Sequence, residues 1–113
     1  MNGRDCRRKG HDFERAVRRE LAGVFGEDLV RRGLQYRDGI ECADVIAPGL
    51  WVECKAHGRT NPRAALAQAV RGSEGRAIKP VAICKDDRRP PVVMMRFDDF
   101  LALLREWHAM RVG

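Results

Sequence analysis

The chain has 113 residues and a formal net charge of +6, from 22 Lys and Arg against 16 Asp and Glu. That length supports one hydrophobic core and not two, and no segment approaches the roughly 20 apolar residues of a membrane span. The opening MNGRDCRRKGHD has no apolar run of the kind a signal peptide needs, so a cytoplasmic protein is expected.

Arg outnumbers Lys by 18 to 4, which together make the 22 basic residues. The imbalance favours a polyanionic partner, because a guanidinium grips phosphate with a planar, bidentate fork. A GC-rich genome or a hot habitat also raises Arg, so the positions of these residues have to decide. The four cysteines, Cys6, Cys42, Cys54 and Cys84, show no CxxC and no Cys/His spacing that would hold zinc. Cys42, Cys54 and Cys84 fall in strand-like runs and read as reduced core residues.

In chain order, residues 1–10 are polar and basic and read as a flexible arm ahead of a folded domain over 11–113. Over residues 11–25, Phe13, Ala16, Val17, Leu21, Val24 and Phe25 recur at three- and four-residue steps, the stripe of an amphipathic helix. Gly26 is placed to end it. Residues 29–34 read as a short strand and 35–39 as a loop. Two further strands, over 41–47 and 50–56, are joined through Pro48-Gly49 as a hairpin. The polar loop HGRTNPR leads into a helix over 62–71, with Pro62 in its first turn. Residues 81–84 and 92–95 read as strands around the charged turn KDDRRPP, and a last helix runs from Asp98, as N-cap, to about residue 110. The order helix, three strands, helix, two strands, helix predicts one α/β domain with a central mixed five-stranded sheet flanked by helices.

The hairpin carries charges where buried strands are expected. Side chains at i and i+2 share a face, so Glu53 and Lys55 point one way and Val52, Cys54 and Ala56 the other. If residues 47–50 form the turn, Ile46 lies opposite Trp51, Asp44 opposite Glu53 and Cys42 opposite Lys55. That register sets two carboxylates about 5 Å apart at Cβ. Facing carboxylates repel, more so when buried, and a divalent cation between them removes the conflict. Carboxylate oxygens completed by water and substrate phosphate are the usual surroundings of Mg²⁺. The alternative is an exposed sheet face with an ordinary Glu/Lys pair. Glu14 lies beside the apolar stripe of the first helix, where it either reaches the same site, directly or through water, or pairs with Arg18 at i+4.

The spacing Asp44, then Glu53-Cys54-Lys55, resembles the PD-(D/E)XK signature of the restriction-endonuclease-like nucleases, with Ala43 at the nominal proline. RRKGHDFERAVRREL, from Arg7 to Leu21, is similar to the opening of the archaeal-type Holliday junction resolvases, which some phages also carry. The resemblance implies a restriction-endonuclease-like fold, with Mg²⁺ held by Asp44, Glu53 and the backbone carbonyl of Cys54, and Mn²⁺ as a substitute. It further implies Lys55 as the catalytic lysine, Glu14 as the additional acid, Gln68 as a polar residue at the site, and Arg7, Arg8 and Lys9 as a DNA-gripping arm. The activity implied is resolution of four-way DNA junctions by a homodimer, in the host cytoplasm if phage-encoded, leaving 5′-phosphates. Arg31, Arg32 and Arg37 before the site, and Arg59 and Arg63 after it, add basic residues suited to the phosphate backbone. In the last helix, Phe97, Phe100, Leu101, Leu104 and Trp107 form a stripe widened by Leu103 and Met110, either a dimer face or a core face. One feature departs from the resolvase pattern. No Ser lies between Gly33 and Asp44, and the only serine is Ser73, which leaves room for a nuclease of duplex, flap or damaged DNA; a DNA-binding module that kept the fold and lost catalysis is a separate alternative.

Overall fold

A computed structural model describes residues 3–33 and 42–112. The elements are α1 (Gly3–Phe25), a 3-10 turn (Glu27–Leu29), β1 (Arg31–Arg32), β2 (Val45–Ala47), β3 (Leu50–His57), α2 (Pro62–Ser73), β4 (Lys79–Asp86), β5 (Val92–Met95) and α3 (Phe97–Val112). The five strands form one mixed sheet in sequence order, β1-β2-β3-β4-β5, with only β3 and β4 parallel. This is the α-β-β-β-α-β-β-α arrangement expected. A parallel neighbour cannot be reached by a tight turn, and α2 supplies the crossover.

The hairpin forms with the expected register where it is paired: Ile46 faces Trp51 and Val45 faces Val52. Pro48-Gly49 makes the turn, with Gly49 at φ 73°. Pairing stops at Val45, however, because the chain bends at Asp44. Asp44 opposite Glu53 and Cys42 opposite Lys55 are therefore not ladder pairs. β1 lies on the far side of β2, only two residues long and both of them Arg, which suits a sheet edge that must not recruit another strand.

The two sheet faces carry different covers. α1 lies over Val45, Ala47, Val52, Cys54 and Val81, contributing Val17, Ala22, Phe13 and Leu21. α2 lies on the other face, where its small residues allow close approach: Ala65 meets Ala82 and Cys84, and Ala69 meets Trp51. A Cβ at Gly72 would sit 2.3 Å from Trp51 Cζ2, so only glycine lets α2 lie this close.

Three helix ends differ from expectation or settle it. α1 starts at Gly3, so residues 3–10 form its first turns instead of an arm. This segment contains no proline or β-branched residue and carries Asp5 in the first turn, which favours a helix although no apolar stripe announces one. Its anchorage is polar, through an ion pair of Lys9 with Asp87 on the β4–β5 turn. α2 begins as expected, with Pro62 following Asn61, whose side chain accepts from the Ala64 N–H at 3.1 Å. α3 begins at Phe97, so Asp98 lies in the first turn and is not the N-cap.

Candidate active site

β3 brings Trp51, Glu53 and Lys55 to the α2 face at period two, while Cys54 faces α1. Asp44 reaches this strand from the bend that ends β2. Its Oδ2 accepts the Cys54 N–H at 2.8 Å, so the side chain takes the place of the ladder bond that β2 no longer makes. A strand residue projects its N–H and C=O to the same edge, and the Cys54 carbonyl therefore faces the edge where Asp44 sits. Asp44 is held in turn by β1: its own carbonyl accepts the Gly33 N–H at 3.0 Å. A Cβ at Gly33 would lie 1.8 Å from the Ala43 oxygen, so glycine is required for that approach.

Glu53 is 1 % exposed and Asp44 3 %. Glu53 Oε1 accepts from Trp51 Nε1 at 2.9 Å. Its other oxygen, Oε2, is buried with no hydrogen-bond partner, and the neighbouring charge is the Asp44 carboxylate. Burial first, then Asp44, pushes the Glu53 carboxyl up to about 8 from its ordinary 4.5, against the lowering influence of Trp51 and Lys55. Burial also raises the Cys54 thiol, with Asp44, Glu14 and Glu53 adding to the effect. Cys54 is thus a neutral wall residue whose backbone, not its sulfur, is offered to the site. Cys84 is similarly raised by burial, and Cys42, Cys54 and Cys84 are free and at least partly buried, as expected of reduced packing residues, while Cys6 is free and exposed.

Two clefts meet at Lys55 and His57. One, of about 270 Å³, lies toward α1 and is lined by Arg7, His11, Glu14, Asp44 and Cys54. The other, of about 310 Å³, lies toward α2 and is lined by Asn61, Ala64, Ala65 and Gln68. Lys55, Glu14 and Gln68 are therefore all brought to the hairpin site. Glu14 does not pair with Arg18, which turns to Glu27 and the Val30 carbonyl. Instead Glu14 Oε1 accepts from Arg32 at 2.7 Å, with His11 at 3.6 Å.

The basic residues divide by environment. Arg7 lines the α1 cleft, Arg8, Arg31 and Arg63 are exposed, and Lys9 is tied to Asp87. Arg32 is turned inward to Glu14 and His11. Arg59 borders a cavity of about 400 Å³ with Gly58, Asp86, Asp87 and Arg89. Arg37 lies outside the described residues. The loop over residues 57–61 is fixed by Asp86, which accepts both the N–H and the hydroxyl of Thr60, at 2.8 and 2.6 Å. These two bonds hold the Asp86 carboxyl below its ordinary range.

Sequence reasoning missed Trp51, His57 and the Thr60–Asp86 clamp. The first two share the period-two face of Glu53 and Lys55, so parity alone would have flagged them. The clamp joins residues 26 positions apart, and no local pattern announces it.

The donors that converge are all oxygens, from Asp44, Glu53 and the Cys54 backbone, and one of them is buried without a donor. That set fits a hard divalent cation such as Mg²⁺ or Mn²⁺. Among the described residues no group of three or more His, Cys, Asp or Glu side chains is placed to hold a metal, and Asp44 and Glu53 are a pair of carboxylates. The same described residues contain no helix long and apolar enough to cross a membrane. No curated protein and no solved structure gives a match to the chain. A family model does, over residues 5–111, and its description is phage putative PDDEXK endonuclease. As that match spans nearly the whole chain, the chain belongs to the phage PDDEXK endonuclease family.

Proposed function

We propose that this chain is a Mg²⁺-dependent endodeoxyribonuclease that nicks opposed strands of four-way DNA junctions as a homodimer. The observation that carries the metal-dependent chemistry is the buried Glu53 carboxyl beside Asp44, with one oxygen lacking a donor. Two adjacent buried acids repel, the Trp51 N–H on Glu53 and the Cys54 N–H on Asp44 offset only part of that cost, and a cation relieves the rest. Asp44, Glu53 and the Cys54 carbonyl hold it, with Mn²⁺ as a substitute. When bound, the cation supplies charge stabilisation at the scissile phosphate and lowers the pKa of a bound water.

The remaining steps belong to side chains of the site. Lys55, half-buried at the mouth shared by both clefts, orients the attacking water and offsets charge on the phosphorane. Glu14 sits across the α1 cleft, held by Arg32 and His11, and acts on the metal side of the site directly or through water. Gln68 faces Lys55 across the α2 cleft and contacts the scissile strand. Water adds to phosphorus as the P–O3′ bond breaks, so the products are a 3′-hydroxyl and a 5′-phosphate. Arg7, Arg8, Arg31, Arg59 and Arg63 grip the phosphate backbone around the cut, a contact set that reads structure and not base sequence. A junction presents two equivalent strands, and two copies of the site are needed to cut both.

One observation favours a second reading of the substrate. Ser73, the single serine of the chain, is buried at the end of α2 with its hydroxyl donating to the Val70 carbonyl at 3.2 Å. No serine from elsewhere replaces the one the resolvase pattern places before the motif aspartate. A nuclease of duplex, flap or damaged DNA would need none. Nicking of a synthetic four-way junction, a flap and the matching duplex, with and without Mg²⁺, separates the readings: selective junction cutting supports the first, and equal cutting of junction and duplex supports the second.

A further inference from the structure

α3 is the least buried of the three α-helices. None of its 16 residues is buried, and it meets the rest of the chain only sparsely. Phe100, Leu103, Trp107 and Met110 are 45, 36, 57 and 84 % exposed. Their spacing, three, four and three residues, lays them along one side of the helix. Leu101 and Leu104 lie to one side of the strip and are partly covered by the chain itself.

A 16-residue helix is marginal in water unless an apolar face is covered. Such a strip, carrying a Trp and a Phe, marks an interaction surface. The spacing identifies what covers it. Read backwards, three-four-three is the same pattern, so an antiparallel copy of the strip matches it position by position. Phe100 of one copy then meets Met110 of the other, a thioether on an aromatic ring, and Leu103 meets Trp107. The ends agree with that direction. α3 carries Asp98 and Asp99 in its first turn and Arg111 in its last, and antiparallel neighbours set the acidic end of one helix beside the basic end of the other, with opposed macrodipoles. Arg111 lies over the Trp107 ring, 4.7 Å from its centroid, which holds the ring in place at the rim of the strip.

We propose that the chain dimerises through α3, two copies lying antiparallel about a two-fold axis with Phe100, Leu103, Trp107 and Met110 as the shared seam. A two-fold closes on itself and leaves no further copy to be recruited. The pairing supplies the second site that junction cutting needs, and so deepens that reading, but it rests on α3 and not on the acids of the active site.

The test is the mass of the full chain in solution by sedimentation equilibrium over a wide range of protein concentration. A mass twice 12.8 kDa is expected for the unaltered chain and for Glu53→Gln, and a single-chain mass for Trp107→Glu and Met110→Glu. Both seam side chains are exposed within one chain, so these variants keep the folded domain, while the unfolding midpoint falls and no longer depends on protein concentration, because the stability contributed by dimerisation is lost. Direction is read by cross-linking in a Cys6→Ser background. Phe100→Cys mixed with Met110→Cys should link under oxidation, and Phe100→Cys alone should not. A single-chain mass at every concentration, a dimer that survives both Glu variants, or Phe100→Cys linking to itself would overturn the proposal. Mass and cross-linking are independent of cutting, so a dimer without nuclease activity and a nuclease without a dimer are distinguishable results.

Discussion

The Asp44 carboxylate accepts the backbone N–H of Cys54 at 2.8 Å, so one side chain both extends the sheet and stands at the candidate metal site. The two roles separate by substitution. Asp44→Asn keeps an oxygen for the Cys54 N–H and removes the charge. It should leave the unfolding midpoint nearly unchanged and reduce Mg²⁺-dependent nicking at least about 100-fold. Asp44→Ala strands the N–H as well and should cost a further ~1–3 kcal/mol of stability, read by denaturant unfolding.

The raised Glu53 carboxyl gives a pH dependence of definite sign. Folding lifts this pKa from 4.5 to about 8, so between those values the native chain holds more protons than the unfolded one, and unfolding free energy falls as pH rises. The metal-free protein should therefore be more stable at about pH 6 than at about pH 9, with Asp44 and Glu53 titrating as a pair. Glu53→Gln should flatten that slope. Mg²⁺ or Mn²⁺ should restore stability at the higher pH in the unaltered chain only, and calorimetry in buffers of different ionisation enthalpy should show proton release on binding.

Gly72, on the sheet-facing side of α2, bears on the site through Trp51. A Cβ there would press on Trp51 Cζ2 at 2.3 Å, and Trp51 provides the one hydrogen bond to Glu53 Oε1. Gly72→Ala should lose about 1–3 kcal/mol by overpacking, red-shift tryptophan emission as the ring is displaced, and weaken metal binding. Unchanged emission together with unchanged metal affinity would show that Trp51 does not position Glu53.

The exposed arginines predict a salt signature. Arg59→Ala and Arg63→Ala should weaken DNA binding equally across sequences and lower the slope of log affinity against log salt by about 1 each. Arg32→Ala should behave differently, because Arg32 holds Glu14 at 2.7 Å. It should reduce cutting more than binding. Filter binding over a salt series, beside nicking rates, distinguishes the two kinds of residue.

Much of this was legible because it is local. Period-two alternation and a Pro-Gly turn were enough to place Ile46 opposite Trp51, and Pro62 at the start of a helix and residues 92–95 as a strand came from equally short signals. What the pattern lacked was non-local. β1 and Gly33 hold the bend at Asp44, so the carboxylate arrives by a side-chain bond to Cys54 and not by ladder pairing. α1 extends back to Gly3 because Lys9 finds Asp87 on a turn 78 residues away, and no apolar stripe marks that extension. The α3 stripe was visible, but its two halves serve different ends: Leu101 and Leu104 turn to the chain, while Phe100, Leu103, Trp107 and Met110 do not. Periodicity reports one apolar face and cannot divide it.

Strand nicking of a synthetic four-way junction, with and without Mg²⁺, reads out directly whether Asp44 and Glu53 form a metal-dependent cutting site. Nicks are expected on opposed strands, requiring the cation, carrying 5′-phosphates, and disappearing in Asp44→Asn and Glu53→Gln while junction binding persists. Cutting that is unchanged in those variants, or no cutting of any DNA by the unaltered chain with Mg²⁺ or Mn²⁺, would contradict that assignment.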